Sequence, residues 1–131
     1  MYSICYVSDE RKELKKEDLI LLYEQTVQNN NKEQITGVLI YKDGSFLQVL
    51  EGDKKVISSL FVKIKKDRRH HNVITLFSRE SSRVFDDYQT GFSIIHNYNG
   101  LESLRAFLAD KRVISTNSAC VESILKSFLK A

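Results

Sequence analysis

The chain has 131 residues, which suffices for one domain and leaves little room for a second core. Hydrophobic residues make up 42% of the sequence and charged residues 28%, a balance that excludes an intrinsically disordered chain. No apolar run reaches the roughly 18 residues that span a bilayer, and no secretory signal is visible. Cys5 and Cys120 suggest neither a disulfide framework nor a metal cluster. We therefore expect a cytoplasmic protein with no bound metal and no membrane contact.

The first hundred residues carry alternating strand and helix patterns. In chain order these predict strand 2–8, helix 17–29, strand 35–42, strand 45–51, helix 54–66, strand 73–79 and strand 91–96. Asp43-Gly44, between the second and third strands, is a strong hairpin signal. The order β-α-β-β-α-β-β predicts an α+β fold of the ferredoxin-like type. In that fold two helices cover one face of the sheet, and the first and third strands are neighbours at its centre.

Two more amphipathic patterns follow, at residues 101–109 and 118–129. They predict two short C-terminal helices, whose apolar stripes must be covered by the free face of the sheet or by a second subunit. We therefore expect a main domain over residues 1–97 and a helical extension over residues 98–131. Both would belong to the same globular unit.

Gln48 is a polar residue in the middle of an otherwise apolar strand, Phe46 to Leu50. An amide buried without partners costs about 1–3 kcal/mol, so it needs a hydrogen-bond partner unless it is exposed or bonded to the backbone. Tyr6, on the adjacent central strand, is a candidate partner, although it could also be an ordinary core aromatic. With Asn30 at the end of the first helix, these groups suggest a polar-edged planar ligand between the two helices.

A basic cluster follows the second helix. It consists of Lys63, Lys65, Lys66, Arg68 and Arg69, followed by His70 and His71. Such a cluster is typical of a solvated helix end, where cations suit the helix dipole. It could also bind an anion such as a phosphate group.

The chain resembles the BLUF family, the blue-light sensors that use flavin, over about residues 2–95. The matching motifs include Tyr6-x-Ser8, Asn30 ahead of Ile35-Thr36-Gly37, Phe46-x-Gln48-x-Leu50-Glu51-Gly52, Asp67-x-Arg69-His70 and Arg83-x-Phe85. The resemblance implies a non-covalently bound flavin, which we take to be FAD, with FMN or riboflavin as alternatives.

The resemblance also implies the photochemistry. Tyr6 would donate an electron and a proton to the excited flavin, and Gln48 would relay the proton and then reorganise its amide. Before the last strand the family usually carries Trp-x-Met, where this chain has Tyr88 and Thr90. These two residues would modulate recovery in the dark, for example by a hydrogen bond to the rotated Gln48.

The same resemblance assigns residues that bind the cofactor. Asn30 would hold the polar edge of the ring, and Asn29 is a further contact. Asp67, Arg69 and His70 would meet the ribityl-phosphate tail. The basic cluster would then have a function in binding.

These patterns predict a photoreceptor that is not an enzyme and that signals by self-association, as a homo-oligomer, or through a separate downstream protein. The alternative is a ferredoxin-like ligand- or RNA-binding module without photochemistry. The third strand lacks an RNA-recognition signature, and a net charge of +3 is a weak electrostatic footprint, so we do not expect a nucleic acid partner. A small hydrolase is also disfavoured, because neither a phosphate cradle nor a catalytic triad is visible.

Overall fold

The strands form a single mixed sheet. A computed structural model describes residues 1–11, 15–85, 88, 92–111 and 116–130. The strands are β1 (Tyr2–Glu10), β2 (Thr36–Lys42), β3 (Ser45–Gly52), β4 (His70–Glu80) and β5 (Phe92–Ile95), in the sheet order β4-β1-β3-β2-β5. The β2–β5 pair is parallel and the other pairs are antiparallel. The predicted contact between the first and third strands is confirmed.

The helices cover both faces of the sheet. They are α1 (Lys16–Lys32), α2 (Lys54–Lys66), α3 (Tyr98–Lys111) and α4 (Thr116–Lys130). Helices α1 and α2 pack on one face, and α3 and α4 pack on the other. The predicted α+β, ferredoxin-like class is confirmed. The apolar stripes of α3 and α4 are covered by the free face of the sheet, which is one of the two surfaces that the sequence analysis expects. In the part of the chain that the structure describes, no helix is both long and apolar enough to span a bilayer.

The two faces carry different cores because successive side chains of a strand point to opposite sides. On the α1/α2 face the buried residues are Ile4, Tyr6, Ile35, Leu39, Phe46, Leu50, Ile57, Phe61 and Phe92. On the α3/α4 face they include Cys5, Val38, Ile40, Leu47, Val49, Leu104, Leu108, Val121 and Leu125. Each central strand therefore contributes to both cores, so the two helical layers are joined through the same backbone.

The first helix ends later than the sequence predicts. The sequence predicts a helix over residues 17–29, but α1 continues to Lys32. Gln34, at φ 58°, adopts the left-handed conformation that ends the segment, and the amide of Ile35 donates to the carbonyl of Asn30 at 2.8 Å. The extension keeps Asn30 inside the helix, buried against the sheet.

A buried carboxylate joins the end of β3 to the segment that follows β4. Glu51 is 1% exposed, and its oxygens accept from the amides of Val84 at 2.7 Å and Phe85 at 3.0 Å and from Thr36 Oγ1 at 2.9 Å. Burial raises the pKa of Glu51 although these bonds favour its charged form. The three donors satisfy the carboxylate and fix residues 84–85 against the sheet.

Gly37 lies where β2 passes close to β3, and we expect it to tolerate no side chain. A Cβ built there would lie 1.9 Å from the carbonyl oxygen of Val49, and the φ angle is +142°. Gly37→Ala should therefore lower the free energy of unfolding by about 3 kcal/mol or more. Urea unfolding followed by circular dichroism measures this.

Gly44→Ala is the matched control for this substitution. Gly44 also has a positive φ, +81°, but its Cβ would meet nothing closer than 3.5 Å. The expected loss is about 1 kcal/mol, from the left-handed conformation alone. Equal losses for the two variants would contradict the steric argument.

Candidate functional site

Tyr6 and Gln48 form a buried hydrogen-bonded pair at the centre of the sheet. The antiparallel register of β1 and β3 places them directly opposite each other, which brings their side chains together on the same face. The Tyr6 hydroxyl donates to Gln48 Oε1. Tyr6 is 2% exposed and Gln48 is 3% exposed, so water does not compete freely for this bond.

The surroundings of Tyr6 keep its phenol protonated. Burial raises the pKa of Tyr6 above its ordinary value, and the nearby carboxylate of Asp67 raises it further. The ring also packs against Phe61, with centroids 5.4 Å apart. The hydroxyl is therefore held as a hydrogen-bond donor, and any loss of its proton must accompany loss of an electron or capture by a strong base.

A cavity of about 200 Å³ lies above this pair, between α1, α2 and the sheet. It is lined by Tyr6, Leu22, Gln25, Thr26, Asn29, Asn30, Leu39, Phe46, Gln48, Leu60, Lys63, Ile64, Asp67 and Arg69. Apolar side chains supply much of its wall, and amide, phenol and charged groups supply the rest. This composition is typical of a site for a flat organic ligand whose edges bear hydrogen-bonding groups.

Asn30 brings an unsatisfied donor to the cavity. The residue is 2% exposed and lines the cavity, and its side-chain Nδ2 is buried without a hydrogen-bond partner. A buried polar group left unpaired costs about 1–3 kcal/mol. An acceptor on a bound ligand would remove that cost.

A charged pair stands beside the cavity at the end of α2. The guanidinium of Arg69 contacts Asp67 Oδ2 at 2.6 Å, and Arg69 donates to Gln25 Oε1 at 2.7 Å. Both charged side chains are about a third exposed or less. The carboxylate fixes the cation where a ligand's anionic tail could reach it. In the described part of the chain, no group of three or more His, Cys, Asp or Glu residues is suited to hold a metal.

The other predicted site residues do not all line the cavity. Asn29 lines the cavity but is exposed. His70 begins β4, and its side chain lies outside the described residues, as does Thr90. Tyr88 is buried on the α3/α4 face, where its ring lies 4.6 Å from that of Phe107. The sheet therefore separates Tyr88 from Gln48, and its modulating role stays a prediction that would have to act through packing.

The sequence analysis did not identify several cavity residues that lie on the same helix face as a predicted site residue. Leu22, Gln25 and Thr26 precede Asn29 and Asn30 by about one or two helical turns, and Leu60 and Ile64 relate in the same way to Asp67. The i, i+3, i+4 rule could have found them. The pairing of Gln25 with Arg69 joins residues 44 positions apart, and no local signal predicts it.

The fold and the cavity define a small α+β ligand-binding protein with a phenol–carboxamide pair in its site. The model of the family described as "sensors of blue-light using FAD", or BLUF, matches residues 1–91. The chain belongs to this family. The resemblance found from the sequence motifs is thereby confirmed, and flavin is the cofactor class of the family.

Two of the matching relatives come from Euglena gracilis. The chain is 32% identical over 114 residues to the photoactivated adenylate cyclase subunit alpha-like protein FB of Euglena gracilis, a match that covers 83% of this chain and 11% of that protein. It is 34% identical over 77 residues to photoactivated adenylate cyclase subunit alpha of the same organism, covering 59% of this chain and 8% of that protein. The matches therefore span only about a tenth of these relatives.

Solved structures share the fold. The calcium/cyclic diGMP complex of Klebsiella pneumoniae BlrP1 matches with a TM-score of 0.68 at 28% identity, covering 82% of this chain and 28% of that one. The photo-activated state of BlsA matches with a TM-score of 0.70 over 99% of this chain and 95% of that one. At 24% identity, the BlsA match speaks for the fold alone.

The Tyr6–Gln48 bond is measurable as a coupling free energy. Tyr6→Phe removes the donor to the Gln48 amide oxygen and Gln48→Met removes the acceptor of the Tyr6 hydroxyl, so each should cost about 1–3 kcal/mol of unfolding free energy. The double variant removes both partners and should cost less than the sum, with a coupling of about 1–2 kcal/mol. Urea unfolding of the four proteins without added ligand measures the cycle.

Tyr2→Phe combined with Gln48→Met supplies the control cycle. The Tyr2 hydroxyl bonds Ser78 Oγ at 2.9 Å and has no bond to Gln48. Its coupling to position 48 should be near zero. A Tyr6 coupling as small as this control would mean that the hydrogen bond contributes nothing to stability.

Proposed function

We propose that this protein is a blue-light photoreceptor that holds a flavin non-covalently in the cavity between α1 and α2. The observation that carries the proposal is the buried Tyr6–Gln48 pair beside the unpaired Nδ2 of Asn30. A flavin ring system has carbonyl and imide groups along one edge, and these complement a carboxamide donor. The apolar lining from α1, α2 and the sheet suits the faces of the ring.

The cofactor is proposed to be FAD, with FMN and riboflavin as alternatives. The cavity of about 200 Å³ is smaller than the roughly 300–1,000 Å³ of pockets that bury whole drug-sized ligands. We therefore assign the ring to the cavity and the ribityl-phosphate tail to its rim, where Arg69 and Asp67 stand. His70 and Asn29 complete the proposed binding set.

The chemistry is proposed to begin at Tyr6. A bound flavin supplies a strongly oxidising excited state when it absorbs blue light. The Tyr6 phenol gives up one electron, and its hydroxyl proton leaves along the existing hydrogen bond to Gln48. Gln48 would pass this proton on to the flavin, which has taken the electron, and its amide would then reorient, since one end of a carboxamide donates and the other accepts. The electron and the proton would return to Tyr6 as the lit state forms, so that no net oxidation remains. The lit state is a changed set of hydrogen bonds around the cavity.

The output is proposed to leave from the opposite face of the sheet. Residues 98–131 would form the output extension of the 1–97 sensor domain, because α3 and α4 pack on the strands that carry Tyr6 and Gln48. The chain would have no catalytic turnover of its own. It would act through self-association or through a separate downstream protein.

Tyr6→Phe tests the photochemistry. The purified flavin-loaded protein should show a small red shift of flavin absorption under blue light that reverses in darkness. The variant should keep its flavin and lose the shift, because phenylalanine can supply neither the electron nor the proton. Tyr2→Phe, which changes a phenol at the far end of β1, should leave the shift intact. A full shift in Tyr6→Phe would assign the donor to another residue.

Asn30→Ala tests the placement of the ring. Loss of the carboxamide should weaken flavin binding by about tenfold, the effect of about 1.4 kcal/mol from one lost hydrogen bond. Asn31→Ala is the control, because Asn31 is an exposed neighbour on the same helix and is not among the cavity residues. Titration of flavin fluorescence measures both. Equal affinities for the two variants would remove Asn30 from the site.

A further inference from the structure

A second phenol on the cavity face has a better proton acceptor than Tyr6. Tyr41 lies near the end of β2, and its hydroxyl donates to Glu10 Oε1 at 2.8 Å. Burial, together with this bond and the charge of Glu10, raises the pKa of Tyr41 to about 12. The phenol is therefore protonated near neutral pH and already aligned with a carboxylate oxygen.

Tyr41 is connected to the cavity through one aromatic ring. The strand pairing sets Tyr41 opposite Phe46, and their ring centroids are 5.1 Å apart at an interplanar angle of 51°. Phe46 lines the cavity together with Tyr6 and Gln48. Tyr41 thus lies one ring behind the cavity wall, on the same face of the sheet.

The acceptors of the two phenols differ in kind. Tyr6 donates to the oxygen of a carboxamide, which is a very weak base. Tyr41 donates to a carboxylate, which can keep a proton. An oxidised phenol is a strong acid, so a hydrogen-bonded carboxylate lowers the cost of removing its electron.

We propose that Tyr41 and Glu10 form a second electron- and proton-donor pair for the photoexcited cofactor. The inference rests on the proposed function. The Tyr41 ring loses one electron to the excited flavin past Phe46, the O–H bond breaks, and the proton forms a new O–H bond on Glu10 Oε1. Tyr41 is left as a neutral radical, and the flavin is reduced by one electron. Because the proton goes to Glu10, this route does not pass through Gln48.

The Tyr6→Phe background isolates this route. After a blue flash, flavin-loaded Tyr6→Phe should still form a tyrosyl radical, detected by transient absorption and by electron paramagnetic resonance. Adding Tyr41→Phe should reduce the radical yield at least tenfold. Adding Glu10→Gln instead should slow radical formation by about tenfold or more, because the proton acceptor is lost. Deuterium oxide should slow formation in Tyr6→Phe.

Tyr23→Phe in the same background is the matched control. Burial and Glu10 also raise the pKa of Tyr23 to about 12, but its ring stacks on His96 at 5.6 Å, and it is the hydroxyl of Tyr41 that donates to Glu10. This control should keep the radical yield within twofold. An equal yield with and without Tyr41 would overturn the proposal, and so would a radical that only Tyr23→Phe removes.

A measurement without flavin checks the pair itself. Ultraviolet titration of the tyrosines should show Glu10→Gln lowering the pKa of a phenol, and this change should shrink when Tyr41→Phe is added. An unchanged titration curve would overturn the pairing. The two proposals can fail separately. If the wild-type chain shows no red shift, the proposed photoreceptor function is wrong. If the wild-type chain shows a normal red shift but Tyr6→Phe forms no radical, only the proposal of a second donor is wrong.

Discussion

The antiparallel register of β1 and β3 is the constraint on which the site depends. It sets Tyr6 opposite Gln48, and a slip by one residue would send one of the two to the other face of the sheet. Register is strongly specified here because both faces of the sheet are buried. The hairpin at Asp43-Gly44, with φ angles of 51° and 81°, further fixes where β3 begins. A phenol and a carboxamide thereby meet in a dry site without any loop to position them.

Strands β1 and β3 also contribute side chains to the core on the opposite face of the sheet. Cys5 and Val49 neighbour Tyr6 and Gln48 in sequence and belong to the core beneath α3 and α4. Close-packed interiors resist small displacements, so a changed hydrogen bond at Gln48 would be felt on both faces. Glu51 adds a polar link, since it lies three residues after Gln48 and holds residues 84–85 through their amides.

Much of this arrangement could be predicted from the sequence, because periodicity and turn residues are local signals. The strands, the hairpin and the shared face of Tyr6 and Gln48 follow from alternation. The side of the sheet on which Tyr88 packs does not follow, since it depends on how the chain returns after β4. The hydrogen bond between Gln25 and Arg69 cannot be predicted from the sequence either, because it joins α1 to the end of α2. Tertiary packing decides such contacts, and no sequence period encodes them.

Tyr6 and Tyr41 lie on the same face of the sheet but donate to different proton acceptors. Tyr6 faces an amide in the dry centre, where a departing proton must rearrange the hydrogen bonds around it. Tyr41 lies toward the end of the strands, where Glu10 is partly open to solvent and can exchange a proton with water. Phe46 stands between Tyr41 and the cavity. Under the two proposals, the acceptor that each position provides would therefore decide whether losing an electron also changes the hydrogen bonds at Gln48.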